Sequence, residues 1–294
     1  MPMIKRRIFE KPALSIPEQL ELLASRGLVI PDSYAAAYYL KFISYYRFCG
    51  YGIEFEYYVA NEKHYLQGTT FDQILECYVF DRKLRLLIID AIERIEIAVR
   101  TAISHELAMK YDAHWYLNRN LFLKKFNHEG LISTVKRETF YRSQEDVSQN
   151  VKKREQFIQH YFNKYSSPEL PPIWMVAEVL PLGTWSTIFA NLEKRADQKL
   201  ICHHFGLNYK VMTSWLHSLT YVRNLCAHHG KIWSRKFTLI PLIATEYREQ
   251  LEHNSKFVAQ AVILKIFLEV VSPNSGWAFH LYELLRKHPR QVPP

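Results

Sequence analysis

The stretch richest in chemistry is RNLCAHH, residues 223–229, which puts Arg223, Asn224 and His228 within about one and a half turns of helix. An arginine, an amide and a histidine so placed suit the cutting of RNA without a metal. A guanidinium holds the charge that builds on a phosphate in the transition state, and an imidazole, which titrates near neutrality, moves the proton of a ribose 2′-hydroxyl.

A helical projection at ~100° per residue sorts these side chains. Trp215, Leu219, Val222 and Cys226 form one apolar stripe that should face the core, with His229 on its edge. Asn224 and His228 stack on the opposite face in line with Tyr221 and His217, and Arg223 sits at the border. His228 is then the expected proton-transfer group and His229 a structural residue turned toward the core. His217, roughly 16 Å back along the axis, should be a solvated surface histidine. A polar face near a helix end can also simply be solvated, so spacing alone leaves catalysis and solvation both open. One constellation is sparse for two proton transfers, which predicts a homodimer with a composite site on its two-fold axis.

A second arginine and histidine with the same spacing, Arg100 and His105, occur in ERIEIAVRTAISHEL, residues 93–107. No amide follows Arg100, and Glu96 four residues earlier offers it a helix-surface ion pair. The alternative makes Glu96 and Arg100 supporting groups that position Arg223 or contact RNA. The CHH at 202–204 and CAHH at 226–229 invite a zinc reading, but neither has zinc-finger spacing, and Cys226 and His228 point to opposite sides. No Walker loop, GxSxG, HExxH or GxGxxG context is present, so no metal or cofactor is expected.

The elements that must carry these residues read as helices. Ser15 with Glu18 and Thr70 with Gln73 are capping boxes, the first opening a helix that stops before Gly27 and the second a helical run to about residue 111, either one long helix or two in line. Asp32 caps a helix between them, and residues 53–66, the one stretch with strand character, read as either a strand segment or an ordered loop. Residues 144–165 read as a charged helix before the breaker SSPELPP; Pro181 and Gly183 hinge two helical pieces, and Asp197 caps a short helix to His204. Asn208 opens the motif helix, Gly230 is placed as its left-handed cap, and further helices fall at 243–253, 256–271 and 276–287. The chain is therefore expected to be all-α, with residues 1–68 an N-terminal helical extension and 69–294 a helical domain with a charged insertion at about 136–170.

A content of 48% hydrophobic residues over 294 is ample for a packed core. The net charge of +9 favours a polyanion such as nucleic acid, against the plainer reading of a solvated basic surface. Aromatic and basic residues interleave at 45–51, with Tyr46 and Arg47, and Lys152, Lys153 and Arg154 are the best charged candidates for RNA contact. Four scattered cysteines fit a reducing cytoplasm. No apolar stretch follows the basic N-terminus, and residues 257–271, which contain Lys265 and Glu269, fall short of the ~20 a bilayer span needs. A cytoplasmic protein with no membrane partner is expected.

Four segments resemble the Abi-like abortive-infection proteins of bacteria, the AbiD and AbiF type: ISYYRFCGY at 43–51, RIEIAVR at 94–100, PPIWMVAEVLPLGTWSTIF at 171–189 and VRNLCAHHGKIWSR at 222–235. The resemblance implies a HEPN-like helical bundle and metal-independent endoribonuclease chemistry carried by Arg223, Asn224 and His228. It further implies phage defence by RNA damage, and association with a small noncoding RNA in a ribonucleoprotein. Many HEPN proteins are inactive binders, so a noncatalytic RNA-binding module is the competing expectation.

Overall fold

A computed structural model describes residues 11–60, 62–141 and 154–287, and their architecture is all-α apart from one two-stranded hairpin. The chain divides into two compact units, Met1–Lys83 with Tyr282–Pro294, and Leu84–Leu281.

In the first unit α1 (Ile16–Ser25) opens on the expected capping box, where the Glu18 carboxylate accepts both the Ser15 N–H and its hydroxyl at 2.6 and 2.7 Å. Gly27, at φ +88°, turns the chain out of the helix. Asp32 caps α2 (Ser33–Ile43) by accepting the Ala35 N–H. Ser44, at φ +70°, separates α2 from α3 (Tyr45–Gly52). The segment with strand character is a hairpin of β1 (Glu56–Val59) and β2 (Glu62–Tyr65), antiparallel with Glu56 opposite Tyr65. Leu23, Leu40, Phe48 and Phe71 form the centre of this core, with the Phe48 and Phe71 rings stacked at 4.2 Å.

The second reciprocal box, Thr70 with Gln73, opens α4 (Phe71–Lys110), a single unbroken helix of 40 residues. In the second unit its Leu84, Ile88, Ala91, Ile95, Val99 and Ile103 are all buried at helical spacing. The other helices that lie wholly in this unit are, in chain order, α5 (His128–Glu138), α6 (Gln156–Lys164), α7 (Ile173–Val179), α8 (Leu182–Ala190), α9 (Arg195–His203), α10 (Tyr209–Ala227) and α11 (Phe257–Val271). The last helix, α12 (Trp277–Arg286), fixes its Trp277 indole on the Leu87 carbonyl of α4 at 2.7 Å. Helix α11 is buried on several sides, by Phe257, Ile263, Leu264 and Phe267 among others, as an apolar run too short for a bilayer should be. No helix among the described residues is long and apolar enough to cross a membrane.

Three local expectations need correction. Asp197 does not cap α9: it lies inside the first turn and is buried, where Lys110 and Tyr111 hold its two oxygens at 2.5 and 2.8 Å. Residues 243–253 form a 3-10 turn at Thr245–Tyr247 followed by turns, because only Ala244 and Leu251 are buried there, too thin an apolar face to hold a regular helix. The charged helix anticipated at 144–165 begins, among the described residues, at Gln156 of α6, with Glu155 outside the helix as its N-cap; residues 142–153 lie outside the described part.

Candidate functional site

Helix α10 carries the candidate site on its exposed side and packs the core with its other face. Trp215, Leu219, Val222 and Cys226 are buried as projected, while Asn224 and His228 are exposed and Arg223 is half-buried between them. Asn208 starts the helix by accepting the Lys210 N–H, and His217 is exposed. Near the other end Arg223 donates to the Asn224 side-chain oxygen at 3.4 Å, so the guanidinium and the amide share one edge.

The end of α10 departs from the projection. The helix stops at Ala227, His228 is the C-cap, and His229 takes the left-handed conformation at φ +58°. The N–H of His229 donates to the Cys226 carbonyl at 3.0 Å and that of Gly230 to the Leu225 carbonyl at 2.7 Å, the paired bonds of a Schellman ending. The left-handed residue is thus His229 and not Gly230. Gly230 is needed for another reason: a Cβ there would lie 3.2 Å from the Leu225 carbonyl oxygen. Because the chain has left the helix, His229 is exposed, not turned to the core as the projection had it.

Helix α4 supplies the support. The buried Arg85 donates to the Gly230 carbonyl at 3.3 Å, fixing the turn that follows the two histidines. About three turns along α4, Glu96 lies near the backbone N–H of Leu182, the first residue of α8, which favours its ionised form. Burial pushes the Glu96 carboxyl above its ordinary range, Arg223 and then Arg100 pull it back, and Glu93 adds to the rise. A partly buried carboxylate thus faces Arg223 and balances part of its charge. The approach of α8 to α10 requires Gly183, where a Cβ would meet the Thr220 methyl at 3.2 Å, one turn before Asn224.

The other sequence candidates fall elsewhere. Arg100 makes its close ion pair with Glu178 of α7 at 2.7 Å, and it also acts at longer range on the local Glu96 carboxyl. His105 is exposed. Tyr46 is 90% exposed on α3 and Arg47 is half-buried beside it. Arg154 spends its guanidinium within the chain, donating twice to the Phe140 carbonyl at 3.0 and 2.7 Å and lying over the Phe162 ring. Lys152 and Lys153 lie outside the described residues. Among the described residues no group of three or more His, Cys, Asp or Glu is arranged to hold a metal. Arg85 escaped the sequence reading; the one signal for it was a charge, four residues after Asp81, set in a row of apolar residues at helical spacing.

An all-α chain whose polar cluster closes one helix is matched over residues 38–234 by the family model described as Abi-like protein. The chain belongs to that family. No curated protein and no solved structure matches it.

Proposed function

We propose that the protein is an abortive-infection factor of phage defence acting as a metal-independent endoribonuclease of the HEPN type. The observation that carries this reading is the shared edge of α10, where Arg223 and Asn224 are hydrogen-bonded and the exposed His228 follows one turn on, with Glu96 facing the arginine from α4. In the reaction the 2′-oxygen attacks the adjacent phosphorus while His228 takes its proton. The 5′-oxygen departs with a proton from an imidazolium, leaving a 2′,3′-cyclic phosphate and a 5′-hydroxyl. Arg223 neutralises the charge on the pentacoordinate phosphorus, and Asn224 orients either the phosphate or the imidazole.

One histidine serves both transfers only by turning over between them, so a second copy across a two-fold axis is the simpler source of the acid, and the working form in this proposal is a homodimer. A small noncoding RNA is the proposed restraint on the cytoplasmic enzyme before infection, in keeping with the +9 charge. The test is cleavage of cellular RNA by purified protein in excess chelator. Cyclic-phosphate ends made by the wild type and not by His228→Ala support the proposal. RNA that is bound but never cut by the wild type would overturn it in favour of a noncatalytic binding module.

A further inference from the structure

Helix α2 presents an aromatic stripe that its own fold does not use. Tyr34, Tyr38 and Phe42 recur every four residues, which puts them on one face of the helix. They are 86%, 60% and 68% exposed, while Ala36 and Leu40 on the other side are buried in the core of the first unit. Tyr38 and Phe42 meet edge to face at 5.1 Å, and Tyr46 continues the exposed aromatics into α3. Large rings are costly to leave in water in a row, and a continuous patch of this kind marks a binding surface.

Its chemistry selects the occupant. Residues 33–52, all of α2 and α3, contain Lys41 and Arg47 and no carboxylate. The Lys41 ammonium lies 5.5 Å from the centre of the Phe42 ring, so a cation sits at the end of the stripe. The nearest acid in sequence, Asp32, is occupied in capping α2. The rings recur every ~6 Å along the axis, against ~3.4 Å per stacked nucleotide, so each can cover one base of every two. Flat faces, phenol hydroxyls and the Lys41 ammonium fit bases and phosphates, and two helices that carry cations and no carboxylate of their own are complementary in charge to a polyanion.

We infer that the α2 stripe is a stacking platform for single-stranded RNA, separate from the residues of α10 assigned to cleavage. This rests on RNA being the ligand, as in the proposed function, but not on cleavage. Tyr34, Tyr38 and Phe42 take base faces and Lys41 takes phosphate. The platform sets where RNA is held, not what bond breaks.

The test uses the full chain carrying His228→Ala, so that RNA survives, and a labelled single strand of about 20 nucleotides followed by fluorescence anisotropy. Tyr38→Ala and Tyr38→Leu are each expected to weaken binding about 10-fold or more, and Tyr38→Phe, which keeps the ring, by less than about twofold. Photocrosslinking of 4-thiouridine RNA to the otherwise unaltered His228→Ala chain should map to residues 33–46, a readout that needs no change on the stripe. Unchanged affinity in the Ala and Leu variants, with crosslinks elsewhere, overturns the inference. So does a loss of dimer mass in Tyr38→Ala at unchanged RNA affinity, which would make the stripe a contact between copies. Wild-type cleavage that persists when Tyr38→Ala leaves RNA affinity unchanged sinks the platform alone, and ring-dependent binding by a wild type that cuts nothing sinks the nuclease alone.

Discussion

The Arg85 guanidinium donates to the carbonyl oxygen of Gly230 at 3.3 Å, a bond between residues 145 positions apart. It fastens the turn after His228 and His229 to α4, the helix that also carries Glu96 opposite Arg223. A buried, charge-assisted donor is worth ~1.5–3 kcal/mol, and its loss leaves a carbonyl to be satisfied by water. Arg85→Met should therefore lower unfolding free energy by about 2 kcal/mol, measured by urea titration, and should reduce any cleavage without touching the reacting groups.

The backbone of His229 gives a second expectation. A side chain in the left-handed region costs ~1–2 kcal/mol that glycine does not incur. His229→Gly should be more stable than His229→Ala by about 1 kcal/mol in thermal unfolding. Equal stabilities would mean that the turn is not left-handed at this residue.

For the proposed chemistry, loss of the proposed proton-transfer group should cost more than loss of its neighbour. His228→Ala is expected to slow cleavage by ~10²–10⁴-fold, whereas His229→Gly keeps most of the rate. The reverse ranking in single-turnover cleavage would move the catalytic role to His229.

Much of this arrangement was legible in the sequence because it is local. Both capping boxes, the break at Pro181 and the buried face of α10 follow from residues three or four apart. His229 was misplaced because a helical projection presumes that the helix continues, and the sequence alone did not reveal that a histidine would take the left-handed position beside a glycine. The partners of Arg85 and Arg100 were hidden for another reason. Gly230 and Glu178 meet them only through packing, and no periodicity reports a contact made across 145 or 78 residues.

Glu96 yields a prediction about pH. Its carboxyl is raised in the folded protein, chiefly by burial, so the native state holds a proton that the unfolded chain has already released. Stability from this group is full below the unfolded carboxylate range and is lost as pH rises through the raised folded value. Glu96→Gln should remove that decline, seen as a flatter curve of unfolding free energy against pH just above the ordinary carboxylate range. A curve parallel to the wild type there would rule out the raised titration.

The placing of Glu96 opposite Arg223 also couples two equilibria. An anion brought to Arg223 withdraws part of the positive field that keeps the carboxylate ionised, so its arrival favours protonation of Glu96. Under the proposed function, phosphate recognition at this edge is accompanied by proton uptake. The binding heat should change with the ionisation enthalpy of the buffer, and the affinity should rise as the medium is made more acidic.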